Sequence, residues 1–150
     1  MRLVIQRVAQ AEVQIDQKPY AKIGKGLLVF IGIEQRDSQT DADYLALKCI
    51  SMRIFEDDQG KMNLPITDIS GEVLVISQFT LHASTKKGNR PSFIKAAKPE
   101  MAENLYQYFI KKIESVLNRD VQTGVFGANM QIELINNGPV TILLDSKNKE

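Results

Sequence analysis

Apolar and polar residues alternate twice near the start of the chain, and that period of two predicts strands over 2–8 and 11–16. Leu3 and Ile5 mark the first, Val13 and Ile15 the second. Gln17-Lys18-Pro19-Tyr20 reads as the turn that follows. Leu27 to Ile33 shows no alternation at all, which predicts a strand covered on both faces. Before it, Gly24-Lys25-Gly26 looks superficially like a phosphate cradle. It lacks the third glycine and precedes a strand rather than a helix, so it reads as a hairpin turn. Thr40 followed by Asp43 matches a capping box, and Leu45, Cys49 and Met52 recur at helical spacing towards Phe55. Asp57-Asp58-Gln59-Gly60 is a turn, and Glu72 to His82 a further β-rich run. Pro99 sits where a helix should begin. Met101, Leu105, Tyr108, Phe109, Ile113, Val116 and Leu117 form that helix's apolar stripe. Two last strands, around Met130–Ile135 and Val140–Leu144, flank Asn136-Asn137-Gly138-Pro139. Strands, helix, strand, helix, strands make an α+β domain with a mostly antiparallel sheet system and two main helices.

Composition narrows this only a little. With 150 residues, 43% hydrophobic and 25% charged, the chain reads as one globular domain over 1–150. Disorder, collagen-like repeats and membrane-spanning helices are excluded as readings, since the longest apolar run, Gly26 to Ile33, is far too short to span. Nineteen Lys and Arg against 18 Asp and Glu exclude an overall basic coat, though not a local patch. Cys49 is the only cysteine and His82 the only histidine. No internal disulfide, cysteine-based zinc site or two-imidazole metal site is therefore available. The first residues do not form a signal peptide, because Arg7 interrupts a short apolar stretch. The cytoplasm is the expected compartment.

Three features depart from plain patterning. Ser77-Gln78-Phe79-Thr80 places polar residues inside a run that begins Val73-Leu74-Val75-Ile76. Continued as a strand, it would put Gln78, Thr80 and His82 on one face, and Ser77, Phe79 and Leu81 on the other. Either the strand emerges into solvent there, or buried polar groups serve a site. Asn136 to Thr141 carries an Asn-Gly turn signal that the following Pro139 spoils, and sequence physics alone does not assign the Gly-Pro isomer. Third, Ser84 to Lys98 holds Lys86, Lys87, Arg90, Lys95 and Lys98 with no acidic residue. With Gly88 and nearby prolines it reads as a mobile loop, either merely solvated or a lip that contacts phosphates. His82 has no carboxylate near it in sequence to orient it as a base for Thr80, and reads as a surface or half-buried histidine. Neither a G-x-S-x-G elbow nor a Walker loop occurs.

Ser77-Gln78-Phe79-Thr80 and Asn137-Gly138-Pro139-Val140-Thr141 resemble the two signature motifs of the D-aminoacyl-tRNA deacylases, S-Q-x-x-T and N-x-G-P-x-T. The resemblance extends along the chain. It takes in Met1-Arg2-Leu3-Val4-Ile5-Gln6-Arg7-Val8, Gly26 to Ile33, Lys61-Met62-Asn63, Gly88-Asn89-Arg90-Pro91-Ser92-Phe93 and Thr123-Gly124-Val125-Phe126-Gly127-Ala128. It implies barrel-like sheets, and a homodimer with its active sites at the subunit interface. The substrate would be the ester joining a D-amino acid, or glycine, to the terminal adenosine of tRNA, with no cofactor and no metal. Gly138-Pro139 would be a cis peptide that reaches into the partner's pocket and excludes L side chains. Ser77, Gln78, Phe79 and Thr80 would form the opposite wall, with the Thr80 amide as oxyanion donor. Phe126 and Met130 match positions near the adenine, and Arg7 would orient the Gly-Pro loop. Hydrolysis assisted by the tRNA's own 2′-hydroxyl is expected over attack by a Thr80 hydroxyl that has no base. The alternatives are an editing domain that removes an L-amino acid, a non-catalytic RNA-binding module, and a protein that only dimerises.

Overall fold

In the computed structural model, which describes residues 1–149, one mixed sheet wraps towards closure and carries both long helices on its outer side. The elements run β1 (Arg2–Ile15), β2 (Lys18–Ile23), β3 (Gly26–Gly32), α1 (Gln39–Ser51), β4 (Phe55–Glu56), β5 (Met62–Leu64) and β6 (Glu72–Ser77). A 3-10 turn (Phe79–His82) follows, then α2 (Pro99–Leu117), β7 (Gln122–Thr123) and β8 (Met130–Asp145). β1 pairs antiparallel with β2, β3 and β8, whereas β6 pairs parallel with both β3 and β7. β4 and β5 form a separate antiparallel pair. The expected α+β class with mostly antiparallel pairing and two helices therefore holds.

The unbroken apolar run at 27–33 has the predicted cause. Leu27, Val29 and Ile31 of β3, with Val73 and Val75 of β6, join the cluster beneath the helices. Leu28, Leu74 and Ile76 point the other way, into a second cluster with Val8, Val13 and Ile23 inside the curled sheet. Successive side chains thus fill two cores. Gly26 permits the close approach of β3 to β6: a Cβ there would lie 1.9 Å from the Glu72 carbonyl oxygen.

Several boundaries fall elsewhere than the pattern predicts. Residues 2–8 and 11–16 belong to one strand, β1, whose register slips around Ala9 without ending it. Asp16 and Gln17, both at positive φ, make the turn, and Lys18 already belongs to β2. Gly24-Lys25 is not a hairpin turn. Ile23 stands opposite Ala11 and Gly26 opposite Val8, so β2 and β3 lie end to end along the side of β1 that β8 does not occupy. The first helix is capped by Ser38 rather than Thr40: the Ser38 N–H donates to Asp41 at 2.9 Å, the capping-box arrangement two residues earlier. It also stops at Ser51, which frees Phe55 to anchor β4 in the core. On α2, Val116 is exposed while Ala102, Tyr106 and Ile110 are buried, so the stripe is turned towards Tyr106. The Tyr106 hydroxyl donates to the Val75 carbonyl at 2.8 Å, a polar tip satisfied inside the core.

Candidate active site

The run at 72–82 is not one strand. β6 ends at Ser77, Gln78 takes φ −146° and ψ 85°, and Phe79–His82 closes a 3-10 turn. The period-two assignment of Gln78, Thr80 and His82 to one face fails for that reason. The Gln78 N–H still donates to the Ile31 carbonyl at 2.8 Å, so the turn starts from a fixed point. The opening amides of such a turn, here those of Phe79 and Thr80, have no partner within it. The Gln78 side-chain amide donates to the Thr80 hydroxyl at 2.5 Å. An amide cannot accept a proton, so this contact does not activate the hydroxyl.

Beside the turn lies a cavity of about 580 Å³. Ser77, Gln78 and Phe79 line one side, Phe126 and Met130 another, and Phe93, Ala96 and Ala97 a third. Phe126 is positioned by Tyr106, 5.8 Å away between ring centroids. Met130 lies over Gly124, where a Cβ would come within 2.4 Å of its sulfur. At the mouth, the rings of Phe79 and Phe93 meet edge to face at 5.0 Å and 73°. The basic stretch is pinned at both ends, by a Ser84–Ser92 bridge and by a bridge from Glu34 to Ala96.

Arg7, Thr80, Gly138 and Pro139 are not among the residues lining this cavity. The Gly-Pro segment is not a turn between two strands. Gln6 pairs with Thr141 and Val8 with Asn136, so residues 137–140 stand opposite Arg7 alone, as a bulge within the single strand β8. The Gly138-Pro139 bond is cis, as the family resemblance implies, and both residues are exposed. Arg7, only 5% exposed, holds the bulge from behind. Its Nε donates to the Asn137 carbonyl at 2.8 Å and its Nη1 to the Ile54 carbonyl at 2.7 Å. Asn136, which sequence reasoning did not single out, closes the bulge across its base. It accepts from the Val140 N–H at 2.7 Å and donates to the Val140 carbonyl at 3.2 Å and the Thr141 hydroxyl at 3.1 Å. An Asn two residues before Gly-Pro was the available signal.

His82 is buried rather than surface or half-buried, and it does have a carboxylate nearby: Glu34 Oε2 lies 3.9 Å from its Nδ1. The turn swings the ring inwards, and Gly32 leaves room for it. Among the described residues, no group of three or more His, Cys, Asp or Glu side chains could hold a metal ion. Burial pushes the Cys49 thiol up to about 12, which keeps it a core thiol rather than a nucleophile.

The cavity beside the 3-10 turn sits on a nearly closed, barrel-like mixed sheet. The sequence model of the D-Tyr-tRNA(Tyr) deacylase family matches residues 4–145. The chain is 60% identical to the D-aminoacyl-tRNA deacylase of Flavobacterium psychrophilum and 55% identical to that of Bacteroides thetaiotaomicron, each over the full length of both chains. Among solved structures, it resembles one titled c-Myc DNA Unwinding Element Binding Protein, with a TM-score of 0.92 and 37% identity over 97% of this chain and 98% of that one. A probable eukaryotic D-amino acid tRNA deacylase, 18% identical over 95% of this chain and 97% of that one, shares the fold at a TM-score of 0.82. The chain belongs to the D-aminoacyl-tRNA deacylase family, and is by that membership a hydrolase. No helix among the described residues is long and apolar enough to cross a membrane.

Proposed function

We propose that this protein hydrolyses the ester of D-aminoacyl-tRNA, releasing tRNA and the free D-amino acid, and that it acts as a homodimer. The observation that carries the reading is the pairing of two half-sites: a cavity whose lining lacks the Gly-Pro element, and a Gly-Pro bulge that stands exposed on its own subunit. A second copy would bring the two together. The long edge strand β8, which pairs only with β1 and exposes Ile135 and Leu143, fits such a partner.

In this reading Phe126 and Met130 receive the terminal adenosine, and Ser77, Gln78 and Phe79 wall the ester. The Thr80 amide stabilises the developing oxyanion, at no cost in reorganisation. Gly138-Pro139 of the partner occupies the space an L side chain would need, so selection works by exclusion and tolerates many D side chains and glycine, including glycine on alanine tRNA. Water attacks with help from the tRNA's 2′-hydroxyl. The Thr80 hydroxyl is bonded to an amide, not to a base, which argues against it as nucleophile. Lys86, Lys87, Arg90, Lys95 and Lys98 contact phosphates near the cavity mouth, and the reaction belongs to the cytoplasm. Few phosphates are neutralised, so affinity for tRNA should fall only gently with salt; a slope like that of a large DNA repressor would contradict this.

The test is deacylation of D-tyrosyl-tRNA and L-tyrosyl-tRNA side by side, with Pro139→Ala as a third arm. Loss of the D ester alone, with leakage to L in the variant, is the expected result. Loss of neither ester would favour a binding module, and loss of L alone an editing domain.

A further inference from the structure

The cavity has two walls that come from distant parts of the chain, and they touch in two places. At the mouth, Phe79 of the 3-10 turn meets Phe93. Beneath it, His82 of the same turn faces Glu34, and Glu34 is bridged to Ala96. The segment 93–97 is otherwise docked onto the end of β3. The Ala97 N–H donates to the Ile33 carbonyl at 2.9 Å, the Gln35 N–H to the Lys95 carbonyl at 3.2 Å, and the Gln35 side chain to the Ile94 carbonyl at 2.9 Å.

His82 is 3% exposed, yet neither ring nitrogen has a hydrogen-bond partner among the described residues. A buried polar group in that state costs stability unless something closes on it. Glu34 Oε2, at 3.9 Å, needs to approach by less than 1.5 Å to reach hydrogen-bond distance, which is about 2.7–3.2 Å for such pairs. We propose that His82 is a positioning residue: its imidazole and the Glu34 carboxylate form a latch beneath the cavity that sets how the 3-10 turn, with Phe79 and Thr80, stands against the Phe93–Ala97 wall. The proposal rests on the deacylase reading of the cavity.

The surroundings leave Glu34 as the group that can serve. From the same loop, Asp37 is committed to the Met1 ammonium and to the Glu34 N–H. Beyond it, Lys147 binds Asp41 and lies 3.9 Å from Asp37. From β1, the Arg2 guanidinium is bonded to the Leu81 carbonyl and to Asp145. Lys95 on the opposing wall is exposed. The turn itself and Gly32 add no other charge. An imidazole N–H donates and a carboxylate oxygen accepts, so the pair can close as a hydrogen bond.

Because His82 is the only histidine, NMR of the whole protein reads its ring signals without ambiguity. The ring-nitrogen signals of His82 should move in Glu34→Gln, since the acceptor that faces Nδ1 is altered. In steady-state deacylation of D-tyrosyl-tRNA, His82→Phe keeps a ring of similar bulk, so a merely space-filling role would leave it unchanged. We expect it, and Glu34→Gln, to raise KM about tenfold with a smaller fall in kcat, because the walls are misplaced and the Thr80 amide moves with the turn. The double variant should be no worse than either single one. Unmoved His82 ring signals in Glu34→Gln, additive effects, or a KM like that of the native protein in His82→Phe would overturn the latch. A native protein inactive on D-tyrosyl-tRNA would instead sink the deacylase reading, and the positioning role with it; the NMR measurement needs no substrate, so the two failures are told apart.

Discussion

Strand β6 stops at its polar interruption, whereas strand β8 passes through its own. After Ser77 the chain turns into a 3-10 segment and helps to enclose a concave space. At residues 137–140 it swells outwards into a convex bulge and then resumes pairing with β1 through Asp145. The means of support differ as well. The turn is fixed by main-chain bonds, with the Gln78 N–H on the Ile31 carbonyl and the Leu81 N–H on the Gln78 carbonyl. The bulge is fixed by side chains, Arg7 from behind and Asn136 across its base. Apart from the His82 latch, a backbone-built wall should tolerate loss of its own side chains, while a side-chain-built protrusion should not.

The largest expected effect falls on the bulge. At Gly138, with φ +143°, a Cβ would stand 2.7 Å from Val140 Cγ2 and 2.9 Å from the Val140 nitrogen. Gly138→Ala should therefore displace the tip and cut the preference for D over L esters by about 100-fold, read from parallel deacylation assays. An unchanged ratio would remove the bulge from the selection. Next comes Arg7→Ala, which strips charged donors from the Asn137 and Ile54 carbonyls. Unfolding in urea should show a loss of about 3 kcal/mol, and the D/L ratio should fall with it. On the concave side the expectation reverses. Thr80→Ala should keep near-normal turnover because its amide remains; an acyl group trapped on Thr80 would break the comparison at its centre.

The smallest effect lies outside both regions. Burial works against ionisation of Asp41, but hydrogen bonds from Lys147, Ser146 and Ser38 outweigh it and hold the carboxyl below its ordinary 3.8. A depressed carboxyl contributes stability that is fully present above 3.8 and is lost as pH falls towards its folded value. Asp41→Asn should flatten that acid loss in thermal melts at pH 2–4 while leaving the D/L ratio untouched.

How much of this was legible along the chain differs between the two interruptions. Both were visible as polar residues in apolar runs, and the Gly-Pro pair marked the bulge, because composition reports that a strand cannot simply continue. What replaces the strand was not visible. Period two carried the reading of 72–82 past Ser77, since a four-residue 3-10 turn leaves no periodic trace of its own. Arg7 entered only through the resemblance to a family; on patterning alone it interrupts an apolar stretch. Its burial depends on carbonyls contributed by Ile54 and Asn137, far away in sequence.

By itself the sequence determined the class of fold, the doubly covered strand at 27–33, both helices and the positions where regular structure fails. These follow from local periodicity and turn chemistry, which act within a few residues. Tertiary structure alone decided that the first two predicted strands are one, and the last two likewise, because β1 and β8 keep pairing with each other on both sides of the register shifts at residues 6–10 and 135–141. It also decided that His82 is buried against Glu34. Whether a polar residue faces water or a partner is settled by what packs over it, and that comes from elsewhere in the chain.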